Sequence, residues 1–156
     1  MPRLELTTNI NASKEIVFDL SRSVDLHEIS TQHTKEKAIA GVTSGLMELD
    51  ESVTWKAKHF GVYQKLTSQI TELDRPYFFV DEMVNGPFKS FRHEHHFFSS
   101  EIVTRMTDIF EYEAPFGVLG EIAGSLFLKK YMTSLLERRN EIIKEYAESG
   151  KWEQVL

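Results

Sequence analysis

The chain of 156 residues contains no cysteine, which excludes disulfides, thiolate metal ligands and a cysteine nucleophile. It has no apolar signal core either: the opening MPRLELTTNI is mixed and polar, so export is not indicated and a cytoplasmic location is expected. Long apolar runs are also missing. The longest weakly charged stretch, 114–128, is interrupted by Glu121 and is too short to span a bilayer, so no membrane insertion is expected. Along the chain no basic residues cluster, and the net charge is -6, which argues against nucleic acid or an anionic membrane surface as a partner. Glycine-rich phosphate loops, nucleophile elbows, metal-protease motifs and internal repeats are all absent.

What is present points to a folded globule. Apolar residues make up 41% of the chain, with 11 Phe, 5 Tyr and 2 Trp, and the length suits one domain, 1–156, with a sizeable core. Leu4, Leu6 and Thr8 alternate with polar neighbours in a first strand. Ser13 and Ser23 are placed to cap two short amphipathic helices, since a serine hydroxyl accepts from the open amides of a first turn. Residues 30–40 are polar and aperiodic and read as a loop, more simply an ordinary solvated connection than a lid flanking a pocket entrance. A short strand over 46–49 follows, and then longer ones. Val53, Trp55, Ala57 and His59 share a face, and Leu66, Ser68 and Ile70 share the next. Three more strands cover 77–83, 88–98 and 102–112, with a turn at Asp74-Arg75-Pro76 and short links that favour antiparallel pairing.

Residues 79–98 are the centre of this pattern. Phe91, His93, His95 and Phe97 lie on one face of a strand, because side chains alternate with period 2. A hairpin closing at Ser99-Ser100 would set His93 opposite Met106 and Glu94 opposite Arg105, with Asp108 diagonal to His93. From residue 118 to about 148 the period becomes helical. Leu119, Ile122, Ala123, Leu126, Thr133, Leu136 and Ile143 form an apolar face, widened by Phe127, Tyr131, Leu135 and Ile142. Lys129, Lys130, Glu137, Arg138, Arg139, Glu141, Lys144 and Glu145 are assigned to the solvated side. Gly120 and Gly124 are read as points of close contact with the sheet.

The order is a strand, two short helices, about six antiparallel strands and one long helix, an α+β arrangement in which that helix covers a curved sheet. Here the chain resembles the START-like, or SRPBCC, superfamily with its helix-grip fold, and within it the bacterial ligand-binding, polyketide cyclase/dehydrase-like group. The resemblance spans nearly the whole chain. It rests on 53–61 (VTWKAKHFG), Asp74-Arg75-Pro76, Phe79-Val80-Asp81, Gly86-Pro87-Phe88, His93-Glu94-His95 with Phe97, Asp108, Tyr112 and Pro115-Phe116-Gly117. It implies a curved sheet of about seven strands and a cavity beneath the C-terminal helix for lipids, sterols, polyketides or other small hydrophobic molecules. No cofactor and no metal are implied, and the protein would act as a monomer or homodimer.

The expected wall of that cavity is Trp55, His59, Asp81, Met83, Phe91, His93, His95, Met106, Asp108, Phe110 and Tyr112. A mostly apolar lining with a few convergent polar groups suits a small-molecule site. The His/Asp group admits three readings. It can be a self-satisfied polar network that also orients a ligand, an acid–base centre with His93, His95 and Asp108 as catalytic candidates, or a three-donor metal site. A polar pocket wall needs the fewest assumptions. His27, His33 and His96 are read as surface residues.

Overall fold

The computed structural model describes residues 2–114 and 117–156, the side chains at 117–123 and 125 excepted. The chain begins with strand β1 (Arg3–Ile10), followed by helices α1 (Lys14–Ser21) and α2 (Val24–Ser30) and a 3-10 turn (Gln32–Thr34). Six strands come next: β2 (Lys37–Gly41), β3 (Ser52–His59), β4 (Val62–Asp74), β5 (Phe78–Asn85), β6 (Ser90–Ser100) and β7 (Val103–Glu113). The long helix α3 (Gly117–Ser149) and a final 3-10 turn (Lys151–Gln154) complete it. All seven strands form one antiparallel sheet in the order β1-β7-β6-β5-β4-β3-β2. Register shifts at Thr67/Ser68 and Ile70/Glu72 bend the 13-residue β4, as bulges do, and give the sheet a concave face.

The expected caps form. Ser13 Oγ accepts from the Ile16 amide at 3.4 Å, and Ser23 Oγ accepts from the Leu26 amide at 3.1 Å. Three expectations need correction. Residues 30–40 are not all loop, because β2 occupies their end and pairs with β3. This edge strand is mostly exposed and carries an irregularity between Ala38 and Ala40, so it has no alternating burial for a sequence pattern to reveal. Residues 46–49 are not a strand; Leu46 makes only an isolated bridge to Ser23, and Met47 plugs the core. The β6–β7 hairpin turns at Glu101-Ile102, with Glu101 at φ 58, so that Ser99 and Ser100 remain in the ladder. His93 therefore faces Phe110, His95 faces Asp108, and Glu94 faces Ile109 instead of Arg105. The displacement is an even number of residues, so every side chain keeps its predicted face.

The core has two parts. Beneath α1, α2 and the C-terminal half of α3 it is solid, with Phe18, Val17, Leu20, Leu26, Met106 and Ile143 almost free of solvent. Phe18 meets Phe79 and Phe97 edge-on at 5.3 and 5.1 Å, a favoured aromatic geometry. The second part, around Leu4, Phe91, Phe110, Tyr112 and Leu136, lies under the N-terminal half of α3 and opens into a cavity. Leu136 and Ile143 are buried as their spacing predicts, but Leu126 and Phe127, assigned to the same apolar side, are 66% and 62% exposed. The readings of Leu119, Ile122, Ala123, Gly120 and Pro115-Phe116 fall outside the described residues or side chains.

Candidate functional site

Between the concave sheet and α3 lies a cavity of about 870 Å³. Eight of the expected residues line it: Trp55, His59, Asp81, Phe91, His93, His95, Phe110 and Tyr112. The other three do not. Met106 is wholly buried in the solid core, where its sulfur accepts from Ser21 Oγ at 3.4 Å. Met83 packs at the edge of the second cluster. Asp108 is 1% exposed and sits behind the histidines instead of beside the cavity. Gly124 borders the cavity, and among the described atoms a Cβ there would meet nothing within 4 Å, which favours its role of leaving space over one of close contact with the sheet.

The polar wall is a connected network. His93 Nε2 donates to Asp108 Oδ1 at 2.8 Å, and His95 Nε2 donates to Asp81 Oδ2 at 2.6 Å. The two imidazoles stack at 3.8 Å, and Phe79 stacks on the outer face of His95 at 4.1 Å. From the helix, Asn140 Nδ2 donates to Asp108 Oδ2 at 2.8 Å, and Arg139 Nη1 approaches Asp108 Oδ1 at 3.3 Å. Arg139 also donates to Asn140 Oδ1 at 2.9 Å and to the Ser21 carbonyl at 3.2 Å. Its Nη2 lies 3.3 Å from His95 Nδ1. The same His95 Nδ1 also stands 3.3 Å from Asp108 Oδ1, so this nitrogen is shared between the guanidinium and the carboxylate. His93 Nδ1 is different. Its nearest charged neighbour is Asp81 Oδ2 at 4.0 Å, no described residue hydrogen-bonds it, and the ring borders the cavity.

Two residues of this wall contradict their predicted placement. Arg139, assigned to solvent, is 7% exposed and is the cation that matches Asp108. Helical spacing carries the signal: Arg139 and Asn140 are each three or four residues from both Leu136 and Ile143, on the same face. His27, read as a surface residue, packs tilted against Trp55 at 4.3 Å and bonds Glu36 at 3.0 Å on the cavity wall. His33 and His96 are exposed, as expected. Arg22 also reaches the cavity, held by Asp19 at 2.8 Å and Glu48 at 2.7 Å. Nearer the opening, Tyr131 donates its hydroxyl to His59 Nδ1 at 2.5 Å. Tyr112 Oη is buried and has no hydrogen-bond partner among the described residues.

Burial favours the neutral form of Asp108, but hydrogen bonds from His93 and His95 and the Arg139 charge outweigh it and hold the carboxyl well below 3.8. Burial likewise opposes ionisation of Asp81, and His95, His93 and Arg139 overcome it. His93 moves down from 6.5, through burial first and then through His95, with Asp108 and Asp81 offsetting only part. Between the folded value and 6.5 the unfolded chain holds more protons at His93, so acid favours unfolding there. This contribution is whole above 6.5 and fades as the pH falls toward the folded value. The carboxylates act with the same sign lower down, complete above 3.8 and lost as the pH falls through their depressed values. The urea midpoint should therefore decline as the pH drops below 6.5, and His93→Leu should remove part of that decline. His59 accounts for another part, since burial lowers its pKa too. A midpoint that stays level through this range would contradict the network as drawn.

Asp81, His93 and His95 place one donor atom each within 4.8 Å of one another. They fit a metal poorly. Ligands of a tetrahedral ion at bonds of about 2.0–2.2 Å stand roughly 3.4 Å apart. His95 and Asp81 are instead 2.6 Å apart, sharing a proton, and Arg139 adds a positive charge beside His95.

No family model matches the chain, and no curated protein does. Solved structures do match over nearly the full length. The Thermus thermophilus protein TTHA0849 superposes with a TM-score of 0.70 at 18% identity, covering 91% of this chain and 97% of that one. Ginseng major latex-like protein 151 from Panax ginseng gives 0.68 at 16% identity, covering 94% and 97%. Ara h 8.0201 gives 0.63 at 8% identity, covering 91% and 97%. The chain has the START-like, helix-grip fold. Within that fold β6 and β7 supply the cavity's polar wall, α3 is its roof, and Arg139 ties the roof to the wall. No described helix is long and apolar enough to cross a membrane.

Proposed function

We propose that this protein binds a small hydrophobic or aromatic molecule, lipid-, sterol- or polyketide-like in character, between the sheet and α3. A hydroxyl of that molecule donates to His93 Nδ1. The observation that carries this is one ring nitrogen of the His/Asp network left open toward the cavity: Nε2 is fixed on buried Asp108, and burial keeps the ring neutral. Nδ1 then only accepts, so it suits an alcohol or phenol better than a carbonyl. A cavity of about 870 Å³ is within the range that encloses drug-sized ligands. Tyr112 Oη, a phenol with no partner among the described residues, offers a second polar contact.

Binding of β-naphthol and of its methyl ether, followed by calorimetry, tests this. The naphthol should bind about tenfold tighter, the worth of one good hydrogen bond, and His93→Leu should abolish the preference. Equal affinity of the wild type for the two probes would sink the assignment.

The same geometry supports a second reading, a cyclase- or dehydratase-type enzyme. An imidazole backed by an ionised carboxylate, with its far nitrogen open to a cavity, is also the arrangement of a general base. On that reading His93 takes a proton from substrate and Asp108 stabilises the imidazolium. His93→Gln would then abolish turnover of an identified substrate while binding survived.

A further inference from the structure

The net charge of -6 hides a strongly uneven distribution. Two stretches, 52–71 and 122–136, contain no Asp or Glu at all, yet hold Lys56, Lys58, Lys65, Lys129 and Lys130. The remaining 13 lysines and arginines face all 24 acids, so the rest of the chain carries -11. No basic cluster is visible along the sequence because these stretches lie some sixty residues apart. The fold brings them together at the β3–β4 hairpin and the N-terminal half of α3. Phe60 of the hairpin lies 5.4 Å from Phe127 of the helix and 4.6 Å from Tyr131.

This junction is the cavity mouth. Phe60 and Phe127 both border the cavity, and both are mostly exposed, at 61% and 62%. Leu126 and Val62 are also exposed there, while Tyr63 is exposed on the opposite face of the hairpin beside Lys58. Phe60 and Gly61 form a two-residue turn with φ of 54° and 78°. Such a turn favours Asn and Gly, and a large aromatic side chain there costs stability with little burial in return. All five lysines are exposed. The ion-paired lysines are others, Lys37, Lys89, Lys144 and Lys151; among the described residues these five make no ion pair. Lys56 and Lys58 lie over the Tyr63 ring at 5.1 and 5.7 Å.

We propose that this rim docks the protein on an anionic lipid bilayer, with the cavity mouth against the membrane. Exposed aromatic residues at the mouth match a bilayer interface, where rings sit at headgroup depth. Lysines on the outer face of the hairpin (Lys56, Lys58, Lys65) and on the exposed side of α3 (Lys129, Lys130) flank it, where ammonium groups meet lipid phosphates. The -11 on the remainder of the chain repels the same surface, so the molecule is oriented mouth-first. A ligand held by the cavity would exchange with the lipid phase without crossing water. Docking itself stands apart from that reading, since vesicle binding is measurable with an empty cavity.

Cosedimentation with vesicles decides it. At low salt the protein should bind vesicles of phosphatidylcholine with about one third phosphatidylglycerol, and bind pure phosphatidylcholine weakly. Salt should release it. The double variant Lys129→Glu/Lys130→Glu should bind at least about 25-fold more weakly, and Phe60→Ser/Phe127→Ser about tenfold more weakly. The lysine variant should keep the wild-type circular dichroism and affinity for β-naphthol, since neither lysine lines the cavity. Three results would overturn the proposal: no binding to the mixed vesicles at low salt, equal binding to pure phosphatidylcholine, or undiminished binding by the lysine variant. A wild-type dimer that Phe60→Ser/Phe127→Ser splits, with no vesicle binding, would also overturn it and make the patch a contact between copies.

Discussion

Replacing Arg139 with methionine is expected to lower the folding free energy by about 3–5 kcal/mol, read as a shift of the urea transition at neutral pH. The size follows from what is left behind. Asp108 is 1% exposed and ionised, and Arg139 is the cation within reach from the helix. Without it, Asp108 must either remain charged in a medium that solvates it poorly or take up a proton. Either costs stability, although Asn140 and His93 still donate to the carboxyl. The loss belongs to the unpaired charge and not to the pair as such. Adding Asp108→Asn to Arg139→Met should therefore recover more than half of it. An Arg139→Met protein as stable as the wild type would mean that Arg139 is solvated and Asp108 is matched elsewhere.

The second large effect contrasts the two halves of the core. Phe18 is fully buried, edge-on to two phenylalanines, with Arg22 above its ring at 5.4 Å. Phe18→Ala should cost about 3–5 kcal/mol, because close-packed neighbours cannot collapse into the space. Leu128 borders the cavity, where one side of its surroundings is already empty. Leu128→Ala should cost less than about 1.5 kcal/mol, since few packing contacts are lost. Equal losses at the two positions would mean that the second half of the core is as solid as the first.

Much of this architecture is legible in the sequence, for identifiable reasons. Strands β3, β4, β6 and β7 alternate with one buried face, and α3 repeats at helical spacing, so their order and layering follow from periodicity. Periodicity also sets His93, His95, Asp81 and Asp108 on one side, because side-chain parity survives an even shift in register. The turn itself is misread, since two serines resemble a turn while Glu101 in a left-handed conformation does not. Where polarity overrides periodicity, the reading fails. Arg139 looks like a solvated residue unless its spacing from Leu136 and Ile143 is given more weight than its charge. His27 lies among polar neighbours, and only the fold brings it against Trp55. The edge strand β2 has no buried face to announce it. Gly124 gives the same signal in sequence whether it makes room or contact, and only coordinates separate the two.

The most direct measurement is a crystal structure of the protein with β-naphthol bound. The naphthalene ring is predicted between the sheet and α3, with its oxygen about 2.7–2.9 Å from His93 Nδ1 and Asp108 still on Nε2. A probe seated elsewhere, or side chains filling the space between helix and sheet, would contradict the account.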